Sequence, residues 1–502
     1  MRAETRQWAG LGLLALPTVL LGLDVTVLYL VAPRMAADLA PSGTQLLWIM
    51  DAYGFLIAGL LITMGTLGDR IGRRRLLTIG TVAFAAASVL AAFAPTAELL
   101  ILARALLGVA GATLMPSTLS LISNMFPNPR ERAVAIGVWA TMFALGMAAG
   151  PIVGGLLVDT FWWGAAFLLA VPVAAIVVLG APALLPEYAD PAAGRLDLLS
   201  VGLSLVTILP VIYAIKDIAA HGIGGAPVLL AGAGAVAGVA FVRRQRRLRD
   251  PLLDVSLFGN WAFTAALAVL LIGLIGVGGS MYLVTQYLQL VAGHTPFAAG
   301  LLMGPPALAM FAAAIGAPVL ARRCRPGQLM AVTLGLSLIG YVLLATTGLA
   351  DDARVTIGFA FVYLGLGAIA ALGTEIVVGV TPPARSGSAA SMSETVQELG
   401  IAVGVALLGS LTTVLYRTSV TVPEDLPPAA SAAVSDSLGA TIAHAADLPA
   451  RTVDAARLAF VTGLNTAALV AGVAIAVATV LCATLLRAVP RLGQDQDDNV
   501  SG

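Results

Sequence analysis

Six ionisable side chains fall inside long apolar runs of this sequence: Asp24, Asp51, Arg104, Glu375, Glu394 and Glu398. A charge at the centre of a helix in hydrocarbon costs about 2.5–3.5 kcal/mol on insertion scales, so each of them needs a partner, an interface or a task. Asp24 is near the middle of its run, with no Lys or Arg within a turn, so its partner must come from another helix. Arg104 lies at a comparable depth and is placed to reach it. Asp51 is about one turn into its run, and Glu375 is close enough to an end to snorkel. Glu394 and Glu398 are four apart and share one helix face. Like charges that close repel in low dielectric, which favours one of the two holding a proton. The chemistry on offer is therefore binding rather than bond-breaking: a carboxylate that takes a proton or an organic cation in turn. Aromatic faces for a cation are offered by Tyr29, Trp48, Tyr53, Trp139, Phe143, Tyr282 and Tyr287. Trp48 and Tyr287, near the ends of their runs, read as interfacial anchors. Tyr29 and Trp139 are retained as cavity aromatics.

The elements that must position these groups are read from composition. The chain has 502 residues, 59% hydrophobic and 11% charged, with a mean hydropathy of +0.96. Soluble proteins carry about 25% charged residues. The apolar residues come in blocks long enough to cross about 30 Å of hydrocarbon as helices. Fourteen spans are expected, at 11–33, 46–67, 76–94, 97–122, 132–157, 164–184, 198–216, 226–242, 262–290, 296–320, 328–349, 355–380, 388–415 and 458–487. The first is too long for a signal-peptide core and is read as an uncleaved helix. An all-α polytopic membrane protein follows.

An even count puts both termini on one side. Twenty of the basic residues fall in connections on that side and six on the other, namely Arg34, Lys216, Arg354, Arg417, Arg451 and Arg457. The positive-inside rule makes the terminal side cytoplasmic. The long loop at about 416–457 is then external, a surface cap in which Ala429 to Ala445 is expected to form a short helix. With 27 basic and 27 acidic residues the chain is neutral, which gives no sign of a nucleic-acid partner. Cys324 and Cys482 form no disulfide framework, and His221, His294 and His444 all lie in connections or the loop. No metal site and no catalytic residues are expected.

Short motifs narrow the class. The second and third spans are joined by Gly65-Thr66-Leu67-Gly68-Asp69-Arg70-Ile71-Gly72-Arg73-Arg74-Arg75, a glycine-supported turn with one acid facing an arginine cluster. It resembles the signature loop of the major facilitator superfamily. By that resemblance, Asp69 and Arg70 form an inner charge network that locks and releases two halves of the molecule. Arg104, followed by Gly108 and Gly111, is similar to the family's membrane-arginine motif. The fifth span reads Gly146-Met147-Ala148-Ala149-Gly150-Pro151-Ile152-Val153-Gly154-Gly155. Small residues at four-residue spacing allow close helix contact, and the string resembles the motif of the superfamily's antiporters. In the first span, Asp24, Thr26 and Pro33 match the motif of the 14-span drug:proton antiporters, departing at Tyr29 where that branch has Asn. Arg249-Asp250-Pro251-Leu252-Leu253-Asp254 and Gln397-Glu398-Leu399-Gly400 also resemble that branch.

The resemblance implies the major facilitator fold, with two six-helix halves around a central cavity and two inserted helices. The expected division is an N-terminal half at 1–184, inserted helices and linkers at 185–260, and a C-terminal half at 261–502. It also implies a proton-coupled antiporter in the plasma membrane, exporting lipophilic cationic drugs, dyes and biocides by alternating access. Asp24, Asp51, Glu394, Glu398 and Arg104 would bind cation and proton. Gly65, Asp69, Arg70, Gly72, Arg73, Gly146, Gly150, Pro151 and Gly154 would be the moving parts. No cofactor is expected beyond the proton gradient, since no phosphate-binding loop is present, and a monomer is expected to suffice. Some members of the branch that the chain resembles carry an acid in the tenth span, and by that resemblance the absence of one between Pro296 and Leu320 argues against divalent cations as good substrates. Export of an endogenous lipid, siderophore or antibiotic is the alternative. A membrane enzyme or channel lacks any supporting constellation.

Overall fold

The computed structural model describes residues 3–189, 197–248, 251, 253–381, 386–423 and 426–490. Arg2, Arg195, Arg249, Arg385 and Arg491, five of the twenty basic residues on the terminal side, lie outside the described residues, as do Asp250 and Leu252. Among the described residues, fourteen helices are long and apolar enough to cross a membrane: α1 Thr5–Leu39, α2 Gly43–Ile71, α3 Arg73–Ala92, α4 Ala97–Met125, α5 Val134–Thr160, α6 Ala165–Leu184 and α7 Leu198–Ile218. They continue with α8 Gly225–Gln245, α9 Trp261–Val291, α10 Pro296–Ala321, α11 Pro326–Ala345, α12 Asp352–Gly379, α13 Ala389–Ser419 and α14 Ala450–Ala488. In hydrocarbon every backbone N–H and C=O must be satisfied within the segment, and only a helix does this for an isolated span. The starts are capped by side chains where the sequence supplies them. Ser42 and Gln45 form a reciprocal capping box at α2, and Thr96, Asn260 and Thr295 accept from backbone N–H groups at α4, α9 and α10.

Packing follows an internal repeat. α1 packs on α5 and α6, α2 on α4, and α3 on α4 and α6; in the second half α9 packs on α13 and α14, α10 on α12, and α11 on α12 and α14. Adding eight to each helix number converts one set into the other. The two most extensive contacts between halves, α2 with α13 and α5 with α10, exchange under the same operation. Such a repeat places the binding region between the halves. α7 and α8 pack on each other, and α7 also touches α2 and α13.

Helix length corrects one expectation directly. The hydropathy reading ended the seventh span at Lys216 and counted that residue among the connections. The helix instead runs on to His221, where Gly222 at φ +84° closes it. Lys216 is thus more than a turn inside, and only 1% exposed.

The start of α1 and the end of α14 share one end of the bundle, and the described part of the 416–457 loop sits at the other. The loop holds two short helices, Pro428–Asp436 and Leu438–Ala443, rather than one. Ser437 breaks the run with extended backbone and caps the second helix by accepting from the Ala440 N–H. The loop is tied down on α13: Tyr416 donates to the Val434 carbonyl at 3.0 Å and Arg417 pairs with Asp436 at 2.7 Å. Leu438 and Gly439 also lie beside Pro33 and Ala36 of α1, around a space of about 50 Å³. The loop therefore bridges the halves at its end of the bundle.

Candidate functional site

Four helices bring the intramembrane acids together. α1 packs tightly on α5 because glycines meet there: a Cβ at Gly22 would run into the Phe143 carbonyl, and one at Gly146 into the Val19 carbonyl. Gly150 and Gly154 continue the contact against Thr26 and Val27. Thr26 donates to the Met147 carbonyl at 3.0 Å, which fixes the register of the two helices. Asp24 belongs to this same segment of α1. α4 approaches α2 in the same manner, with Gly108 against the Tyr53 backbone and Gly111 against its ring.

Arg104 does reach Asp24. One guanidinium nitrogen donates to the carboxylate at 2.9 Å and Nε donates to the Ile49 carbonyl at 3.2 Å. Its carbon lies 4.6 Å from the centre of the Tyr53 ring. Arg104 is 2% exposed and Asp24 7%. A buried pair of this kind is held by its full set of partners, and removing one member leaves an uncompensated charge.

Asp51 has a partner that the sequence reading placed elsewhere. Lys216 Nζ sits 2.7 Å from its carboxylate, with both side chains fully buried. The ammonium is also 4.0 Å from the centre of the Trp48 ring and 5.8 Å from that of Phe55. Trp48 is therefore a cation-facing ring rather than a plain interfacial anchor. Tyr287, the other expected anchor, is fully buried and donates to the Gly348 carbonyl at 2.7 Å.

The acids of α13 differ from those of α1 and α2. Among the described residues neither Glu394 nor Glu398 has an ion pair, although Glu398 is only 7% exposed. Arg104 and Lys216 compensate Asp24 and Asp51, which leaves Glu394 and Glu398 as the two of these four acids without an internal cation among the described residues. Glu398 lies within electrostatic reach of Asp24 and of Tyr29, and Tyr29 is in turn within reach of Asp51 and Tyr363. Tyr29, 5% exposed, is thus central to the cluster. Trp139 is more peripheral, with its ring nitrogen donating to Thr118 at 3.0 Å. Glu375 is exposed near its helix end. The described residues hold no group of three or more His, Cys, Asp or Glu placed for a metal.

The Major Facilitator Superfamily model matches residues 14–405. The chain belongs to the major facilitator superfamily. It is 43% identical over 492 residues to the multidrug efflux pump LfrA of Mycolicibacterium smegmatis, covering 97% of each chain. It is 33% identical to the methyl viologen resistance protein SmvA of Salmonella typhimurium, over 91% of this chain and 93% of that one. Among solved structures, a bacterial homologue of the human lysosomal transporter Spinster, inward-facing and unoccupied, superposes with a TM-score of 0.66 at 16% identity. That superposition covers 96% of this chain and 97% of the other.

The facilitator signature loop takes a definite form here. Gly72 adopts φ +106°, which L side chains rarely occupy, and lets α2 turn into α3. Asp69 pairs with Arg73 at 2.6 Å rather than with Arg70, which is exposed. Glu187, a residue the motif reading passed over, accepts from the Arg74 backbone N–H at 3.1 Å and pairs with the Arg74 side chain at 3.4 Å. Its acidic type, directly after a span and facing an arginine-rich turn, was the available signal.

Proposed function

We propose that this facilitator exports lipophilic organic cations from the cytoplasm in exchange for protons, across the plasma membrane, with both termini in the cytoplasm. The observation that carries the proposal is the asymmetry among the buried acids. Asp24 and Asp51 are matched by internal cations, while Glu394 and Glu398 lie in the seam between halves without one. A cationic substrate and a proton are then alternative ligands for the α13 carboxylates, and competition for one site couples their flows. Protonation from outside removes the charge that holds the cation, the cation leaves, and deprotonation in the cytoplasm restores the site. The names of LfrA and SmvA support export of small toxic molecules, and the aromatic surroundings of Glu398 support lipophilic cations among them.

Glycine contacts between the halves indicate the state. Gly43 meets Thr413, Gly409 meets Leu47, Gly54 meets Ala402, and Gly155 meets the Pro296 carbonyl. All are at mid-depth or toward the loop end, which supports a protein closed outside and facing the cytoplasm. No cofactor enters this cycle, which draws on the proton gradient, and a monomer contains every group it uses.

The test is ethidium accumulation in a pump-deficient bacterium expressing the chain, with and without an uncoupler. Low accumulation that rises with uncoupler, and rises again in Asp24→Asn, is expected. Export by Asp24→Asn at the wild-type rate, with the protein present in the membrane, contradicts the site.

A further inference from the structure

Lys216 makes three contacts that together resemble the binding of a ligand. Its ammonium meets a fully buried carboxylate, Asp51, at 2.7 Å and the face of Trp48 at 4.0 Å, with Phe55 further off. A carboxylate beside aromatic faces is the arrangement by which proteins bind organic ammonium ions. Apart from each other, Asp51 and the Lys216 ammonium have no hydrogen-bond partner among the described residues. The cation is also brought from outside the two halves. Lys216 belongs to α7, an inserted helix, which reaches the seam by packing Ile212 against Phe55 of α2 and Ala402 and Ala406 of α13. The long Lys side chain thus crosses from an added element into the wall of the site.

We propose that Asp51, Trp48 and Phe55 form a second cation subsite that the tethered Lys216 ammonium keeps filled. The subsite takes a primary alkylammonium or one end of a dication when Lys216 is removed. Filling it from within leaves the α13 carboxylates as the buried acids without an internal cation among the described residues, which selects monovalent over divalent cations. That preference rests on the export reading above; the existence of the subsite does not. Tyr29, within electrostatic reach of both Asp51 and Glu398, marks the region a dication would bridge.

The test uses purified full-length protein in detergent, with n-butylammonium as probe and n-butanol as the uncharged control, read by thermal unfolding. Lys216→Ala removes the tether and leaves a space of about its length. Butylammonium is expected to raise the unfolding midpoint of Lys216→Ala saturably and to bind it at least about tenfold tighter than wild type, one decade on the affinity scale. Butanol is expected to do neither. The double variant Lys216→Ala/Asp51→Asn, which removes both charges and so avoids a lone buried acid, is expected to lose the response. An equal response of wild type and Lys216→Ala, or an undiminished response in the double variant, overturns the subsite.

Should Lys216→Ala not fold, Lys216→Met in membranes serves instead. Its ethidium export is expected to become more sensitive to competition by methyl viologen, while Lys216→Arg keeps the wild-type ratio. An unchanged ratio in Lys216→Met overturns the selectivity claim. The two readings separate cleanly: a chain that exports no ethidium yet shows the butylammonium difference retains the subsite and loses the export function.

Discussion

Each buried charge in this protein is defined by what stands beside it. Arg104 has an acid, a carbonyl and a ring; replacing it by Met leaves Asp24 buried and unmatched. The expected cost is about 3–5 kcal/mol, read as a lower unfolding midpoint in detergent. Arg104→Met with Asp24→Asn should recover most of that loss and still fail to export. Recovery of stability without transport is the signature of a functional pair. Glu398→Gln should slow cation efflux more than Glu394→Gln, because Glu398 is the more buried and sits within reach of Asp24 and Tyr29. Equal efflux rates in the two variants would argue that neither carboxylate has a distinct role. The sequence made the acids legible, since charge inside an apolar run has few innocent explanations. Arg104 was legible as a partner from depth alone. Lys216 was not, because it stands at the polar end of its apolar run, directly before Asp217, where a span drawn on hydropathy stops. The helix-ending signal, Gly222, stood six residues further on and would have put Lys216 inside.

At the scale of elements, glycine spacing explains why these helices can approach. The α1–α5 contact is made through Gly22 and Gly146, each against the other helix's backbone. Gly146→Leu must therefore separate α1 from α5, at an expected cost of about 1–3 kcal/mol for overpacking. Efflux should be lost while the protein still inserts, which quantitative membrane fractionation beside an efflux assay would check. The inserted pair is held differently. Asp197, at the start of α7, accepts from Arg244 of α8 at 2.9 Å. Hydrogen bonds from Arg244, followed by those from Ser200, hold its carboxyl down at about 2. A depressed carboxylate contributes stability above its unfolded value and loses it as pH falls through the folded one. The α7–α8 tie should thus be constant from pH 5 to 8, so Asp197→Asn should lower the unfolding midpoint equally at both ends of that range. A loss confined to pH 8 would contradict this. Span number and order were readable from hydropathy, since each block is long and polar residues punctuate the joints. Helix ends were not, because capping and turn geometry rather than hydropathy set them. The loop shows the same limit: Ser437 looks compatible with one helix, yet its side chain stabilises a fresh start.

For the whole molecule, the internal repeat turns one set of contacts into a prediction about motion. Halves that touch through α2 with α13 and α5 with α10 can rock about those seams, and contacts at the loop end must break when the outside opens. Gly43 and Thr413 face each other there. In a background with Cys324 and Cys482 replaced, Gly43→Cys with Thr413→Cys should cross-link on oxidation and stop export until reduced. Continued export by the cross-linked protein would contradict rocking at this seam. The repeat itself was legible only through family motifs, since its halves share helix order rather than obvious residues. Competition between a proton and a cation for the α13 carboxylates can be followed in proteoliposomes holding purified protein, ethidium and an imposed pH gradient. Gradient-driven ethidium movement is expected to stop when nigericin collapses the gradient and to be lost in Glu398→Gln. Ethidium movement that ignores nigericin, or persists at full rate in Glu398→Gln, would contradict it.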